Sequence, residues 1–150
     1  MKLAAAEAST GVRKRHGGPF GAVIVRSGRV AARAHNAVIK TCDPTAHAEI
    51  TAIRKASAKL KTFDLSGAEL YTTCEPCPMC LAAILWARIG RVYFGCTRRD
   101  AEKIGFRDNL FYEKMRVRIR PGGIRLIPLG RRECLKVFRE WADTLDKVRY

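Results

Sequence analysis

The segment LYTTCEPCPMCLAAILWA, residues 70–87, passes from a strand through a proline-bounded turn into a helix. Leu70 to Thr73 has the β-branched and aromatic content of a strand, Glu75 and Pro76 interrupt it, and a helix is expected from about Pro78 to Ala87. The same alternation extends to either side. Upstream, residues 2–15 read as a helix that Gly17, Gly18 and Pro19 end. Phe20 to Val25 and Val30 to His35 flank the turn residues Ser27 and Gly28 as an antiparallel hairpin, and Ala46 to Lys59 shows the helical recurrence of Ile50 and Ile53. Downstream come strands at Val92 to Gly95 and Ile124 to Ile127 and a helix from Arg132 to Trp141. A hairpin followed by repeated αβ units predicts an α/β fold, a three-layer α/β/α sandwich around a mixed sheet.

Composition sets the outer limits. The 150 residues contain no repeat, low-complexity tract or linker, so residues 1–150 are read as one domain. A hydrophobic content of 47% supplies a core and excludes wholesale disorder. The longest apolar run, 81–87, is too short to span a bilayer, and Glu7 interrupts the N-terminal apolar residues, so a soluble, cytoplasmic protein is expected. Lys and Arg number 29 against 14 Asp and Glu, a net charge of +15. Eight of the cations lie between residues 107 and 132, yet Arg116, Arg118 and Arg120 alternate with Val117 and Ile119 like the wet face of a strand. The charge is therefore read as a solvated surface in preference to a nucleic-acid groove.

Of six cysteines, Cys74, Cys77 and Cys80 recur every three residues, whereas Cys42, Cys96 and Cys134 stand singly and read as small buried hydrophobes. His47 and Cys77 each precede a helix, after Asp43-Pro44-Thr45 and Glu75-Pro76 respectively. Two sulfurs in a first helical turn point to one side, where the positive helix end favours the thiolate a metal needs. With His47 they make three ligands, one short of a closed structural zinc site, which matches a catalytic site that keeps its last position for water. Cys74, at the end of a strand, is read as core and not as a fourth ligand. Glu49 lies two residues beyond His47, close enough to carry a proton without binding the ion. The pattern H-x-E followed by P-C-x-x-C is the signature of zinc-dependent nucleobase deaminases.

These motifs resemble the cytidine deaminase superfamily, and within it the bacterial guanine deaminases. The resemblance covers nearly the whole chain: GGPFGAVIV at 17–25, DPTAHAEITAIRKA at 43–56, CEPCPMC at 74–80, AILWAR at 83–88, DAEKIGF at 100–106 and the terminal Tyr150. It implies one zinc ion per subunit on His47, Cys77 and Cys80, Glu49 as proton shuttle, and guanine recognition by Asn36 and Asp108. It also implies a homodimer in which the segment 142–150 crosses to a partner and Tyr150 closes the site. Phe20 is left between a stacking wall and a core residue, and Trp86 is read as core. Arg107 stands where related enzymes tend to carry an acidic residue, which leaves guanosine, a triazine amine or a phosphorylated substrate open. Two alternatives stand beside guanine deamination: a tRNA adenosine deaminase, favoured by the charge and by GRVYFG at 90–95, and a zinc-stabilised binding module without activity.

Overall fold

The computed structural model describes residues 1–116, 123–145 and 147–148. Arg118, Arg120 and Tyr150 lie outside the described residues. The elements follow in the order α1 (Lys2–Arg13), β1 (Gly21–Arg26), β2 (Arg29–His35), α2 (Val38–Thr41), α3 (Ala48–Leu60), β3 (Glu69–Cys74), α4 (Pro78–Trp86), β4 (Arg91–Cys96), α5 (Arg98–Lys103), α6 (Asp108–Lys114), β5 (Arg125–Pro128) and α7 (Arg131–Asp143). The strands form one mixed sheet in the order β2-β1-β3-β4-β5. β1 is antiparallel to both β2 and β3, while β3, β4 and β5 run parallel. Ser27 and Gly28 take positive φ angles of 50° and 72° at the hairpin, the left-handed pair that matches the twist of its strands.

Helices α3 and α4 cover one face, and α1 and α7 cover the other. The first layer buries Ile24, Leu65, Leu70, Ile84 and Val92; the second packs Val12, Phe106, Phe138 and Trp141. Small residues set the spacing on the second face. A Cβ at Gly21 would lie 2.2 Å from the Ala4 carbonyl oxygen, and one at Gly95 would lie 2.2 Å from Cys134 Sγ, so both positions admit a helix directly onto the strand. The sandwich expected from the sequence is the one observed.

Three expectations are corrected. Trp86 is not core: α4 is apolar on every side, Leu81 and Ile84 occupy its inward face, and Trp86 is left 84% exposed. Cys42 is exposed at the left-handed end of α2, whereas Cys96 and Cys134 are buried as expected. The short helices α2, α5 and α6 were not foreseen, because at 4, 6 and 7 residues they are too brief to show a periodic apolar stripe.

Candidate active site

Two helix starts meet at the carboxyl end of β3. His47 is the N-cap of α3, with extended backbone at φ −64° and ψ 156°. It is placed there by a tight turn in which Asp43 Oδ1 accepts from the Thr45 amide at 2.8 Å and the Thr45 hydroxyl at 2.7 Å. Cys77 is the N-cap of α4, and Pro78 occupies the first helical position, where its fixed φ suits a helix and its missing N–H is no loss. Cys77 Sγ and Cys80 Sγ lie 3.7 Å and 3.6 Å from His47 Nδ1, and all three ligand atoms fall within 4.8 Å of one another. Tetrahedral zinc ligands at ~2.0–2.1 Å for nitrogen and ~2.3 Å for sulfur stand about 3.6 Å apart, so the preformed spacing fits that ion. Cys74 is not part of the group; its buried Sγ is directed to the Thr97 carbonyl at 3.6 Å.

The sulfurs sit in an environment that polarises them. The neighbouring Cys80 and His47 pull the Cys77 thiol below its ordinary value, while the Cys77 sulfur and burial push Cys80 up. Burial disfavours a charged His47, but the Cys77 sulfur and the Glu49 and Asp108 carboxylates outweigh it and raise its pKa. Glu49 is only 5% exposed, and this burial lifts its carboxyl above the usual range against the opposing bond from Thr72. Its Oε1 accepts from Thr72 Oγ1 at 2.7 Å, and its Oε2 lies 3.5 Å from Cys80 Sγ.

These groups open onto a cavity of about 400 Å³ whose wall includes Phe20, Asn36, His47, Glu49, Cys77 and Asp108. Of the residues singled out in the sequence, these six are brought together; Cys80 lies fully buried behind them against His47 and Glu49. Asn36 follows β2, is fully buried, and spends Oδ1 on the Val38 amide at 3.2 Å, so it is at once a turn residue and part of the cavity wall. Phe20 is also both: half-buried, it meets Phe106 and Phe138 edge-on at centroid distances of 4.8 Å and 5.6 Å while lining the cavity. Asp108 opens α6, and burial, followed by the nearby Cys77 sulfur, pushes its carboxyl up to about 6.

The residues that seat α6 escaped sequence reasoning. Tyr112 donates its phenol proton to the Pro76 carbonyl at 2.6 Å, and the Arg98 guanidinium lies 4.2 Å from the centre of its ring. Glu75 Oε2 accepts from the Arg98 amide at 2.9 Å, so the loop before Cys77 and the helix bearing Asp108 are tied together. Thr72 was missed as well, because a threonine in a strand is what β-propensity alone would supply.

The family model for the cytidine and deoxycytidylate deaminase zinc-binding region matches residues 1–96. The chain is 43% identical over 153 aligned positions to the guanine deaminase of Bacillus subtilis (strain 168), spanning 100% of this chain and 96% of that one. An X-ray structure of guanine deaminase from Bacillus subtilis superposes with a TM-score of 0.75 at 42% identity, covering 99% of this chain and 95% of that chain. A tRNA-specific adenosine deaminase of Agrobacterium fabrum is 50% identical, but over 95 residues, 63% of this chain and 62% of that one. A preformed His/Cys/Cys group in a five-stranded mixed sheet, matched by the family model over residues 1–96, assigns the chain to the zinc-binding cytidine and deoxycytidylate deaminase family.

Proposed function

We propose that this chain hydrolyses guanine to xanthine and ammonia, with zinc held by His47, Cys77 and Cys80. The observation that carries the reading is a carboxylate and an amide in the lining of the cavity that holds the His/Cys/Cys group, Asp108 on α6 and Asn36 after β2. Guanine offers N1–H and an exocyclic amine as donors, which a carboxylate accepts, and O6 and N7 as acceptors, which an amide NH₂ can serve. The corresponding ring nitrogens of adenine, N1, and of cytosine, N3, carry no proton and accept instead. The likeness to a guanine deaminase runs the full length of the chain at 43% identity, whereas the likeness to tRNA-specific adenosine deaminases spans 63% of it at 50% identity and 79% at 36%.

Zinc held by His47, Cys77 and Cys80 would supply a Lewis acid that lowers the pKa of a water toward about 7. Glu49 takes one proton from the attacking water and passes it to the ring nitrogen beside the carbon bearing the amine as the C–O bond forms; it then takes the second proton from the added hydroxyl and delivers it to the amine, so that the C–N bond breaks and ammonia leaves as the carbonyl forms. One water is consumed and one ammonia leaves, and the carboxylate returns to its starting state. Phe20 supplies an apolar wall against the ring.

The α3–α4 face supports homodimer formation. Trp86, Phe63 and Leu85 are 84%, 74% and 59% exposed on adjoining surface, an apolar area whose contact with water a second copy removes. Exchange of segment 142–150 and a lid role for Tyr150 remain part of the proposal; Tyr150 is outside the described residues. Among the described residues no helix is long and apolar enough to cross a membrane, and six free cysteines favour a reducing cytoplasm.

The test is ammonia release by the zinc-loaded protein from guanine, guanosine, adenosine, cytidine and a tRNA anticodon stem-loop. Release from guanine supports the reading. Release from the RNA alone would transfer the function to tRNA adenosine and bring the +15 charge into binding.

A further inference from the structure

Thr72 and Thr73 are neighbours on β3 and both are fully buried, but alternation along the strand sends their side chains to opposite faces of the sheet. Thr73 Oγ1 accepts from the Gly21 amide at 3.0 Å and donates to the Pro19 carbonyl at 3.4 Å, which ties β3 to the start of β1. Thr72 Oγ1 donates instead to Glu49 Oε1 at 2.7 Å. For folding alone the Thr72 hydroxyl is dispensable, because valine suits a buried strand position at least as well and brings no polar group to satisfy. What the hydroxyl does is fix a carboxylate. A glutamate side chain has three rotatable bonds, and inside a site shielded from water few partners remain to choose among its orientations. Thr72 reaches Glu49 from the central strand of the sheet, paired on both sides by β1 and β4.

We infer that Thr72 is a positioning residue: its hydroxyl holds one oxygen of Glu49 and so sets the carboxylate in the orientation from which it moves protons. The inference rests on the proposed role of Glu49 as proton carrier. It differs from a packing role in its kinetic signature. Substrate meets Asp108, Asn36 and Phe20 whether or not Glu49 is well aimed, so loss of the Thr72 hydroxyl should lower kcat and leave KM nearly alone.

The experiment compares Thr72→Val, Thr72→Ser and Thr73→Val, each alone and combined with Glu49→Gln, by steady-state guanine turnover, zinc content and thermal unfolding. Thr73→Val is the control, since it too removes one buried hydroxyl from the same strand, but that hydroxyl bonds to the backbone of Pro19 and Gly21 and not to Glu49. Thr72→Val should lower kcat about 10- to 100-fold, the scale of a misplaced reacting group, with KM within about threefold and zinc content unchanged. Thr72→Ser should restore most of the rate. Thr73→Val should lose melting temperature but keep kcat within about twofold. In the Glu49→Gln background Thr72→Val should cost nothing further, since a residue acting through Glu49 has nothing left to orient.

Three results would overturn the inference: kcat of Thr72→Val within about twofold of wild type, an equal kcat loss in Thr73→Val, or the same loss with Glu49→Gln already present. If Thr72→Val does not fold, Thr72→Ala removes the same hydroxyl without adding a methyl group and is read against the same outcomes. Near-normal turnover by Glu49→Gln alone would remove the proton-carrier role itself, so failure of that reading is distinguished from failure of this one by a variant that leaves Thr72 intact.

Discussion

Gly17→Ala tests whether Asn36 must sit where the structure holds it. A Cβ built at Gly17 lies 2.0 Å from Asn36 Oδ1 and 3.0 Å from both Asn36 Cγ and the Asn36 carbonyl oxygen. Side-chain carbons do not approach so closely, and relief of the overlap moves the amide by about 1 Å or more. Asn36 has little room to yield, being fully buried with its Oδ1 accepting from the Val38 amide at 3.2 Å. Gly17 has no left-handed φ to protect, as it is not among the glycines with positive φ, so alanine brings a collision and not backbone strain. Losing the Val38 bond costs ~1–3 kcal/mol if its amide stays unpaired. The larger effect falls on turnover: a ~1 Å error in a group that orients substrate costs up to about 10²-fold, and we expect kcat/KM for guanine to fall roughly 10- to 100-fold, ~1.4–2.7 kcal/mol. Zinc content should be unchanged, because none of His47, Cys77 and Cys80 appears among the atoms that the added Cβ meets. Ammonia release measured at matched zinc occupancy is the assay. A Gly17→Ala protein with kcat/KM within twofold of wild type would show either that Asn36 tolerates displacement or that it does not read the substrate.

Asp108→Asn should reduce kcat/KM for guanine by more than about 10-fold with little change in melting temperature, since a half-buried carboxylate is replaced by an amide that presents a donor to N1–H; the check is turnover against unfolding. Removing zinc with a chelator should abolish ammonia release and lower the melting temperature, and re-addition should restore both, because three ligands from two separate helix starts lose their common partner. Asp100→Asn should lower the melting temperature by about 2–6 °C at pH 7, because it removes half of a capping box with Thr97 and the 2.6 Å pairing with Arg131. Burial pulls the Asp100 carboxyl upward, but the Thr97 amide and hydroxyl and the Arg131 guanidinium prevail and hold it below its ordinary value. Its contribution is thus present above the unfolded pKa of ~3.9 and is lost as pH falls through the lower folded value, so the gap between variant and wild type should close over that acid window.

What could be read from the sequence was local chemistry with a strong periodic or capping signature. The hairpin announced itself through Ser27-Gly28, and the zinc group through two helix starts, each bearing ligands at fixed spacing. Trp86 went wrong for a physical reason: in a helix that is apolar on every side, composition does not say which face meets the sheet and which awaits another surface. The seating of α6 was invisible because it depends on Arg98, Tyr112, Glu75 and Pro76, which are scattered along the chain and meet only through tertiary packing. Asp108 could be named from a resemblance, but its place in one cavity lining with Asn36 required the fold.

Strand order explains why one short chain can bring so many separate segments to one cavity. β3 is parallel to β4 on one side and antiparallel to β1 on the other, so the carboxyl ends of β3 and β4 lie beside the amino end of β1. Connections from three strands therefore meet at one edge of the sheet: the turn after β3 leads to Cys77, the segment after β4 leads through α5 to Asp108, and the residues before β1 supply Gly17 and Phe20. The antiparallel partner β2 ends at that same edge with His35, which places Asn36 beside Gly17 and starts the path to His47. A ligand cleft is expected where such connections diverge at the carboxyl ends of parallel strands. An all-parallel order would replace the amino end of β1 with its carboxyl end, and Gly17 with Phe20 would then lie across the sheet from the zinc group. The antiparallel hairpin is thus the feature of the fold that lets Asn36, Phe20 and the metal ligands share a cavity, and the close fit of Gly17 against Asn36 is a direct result of it.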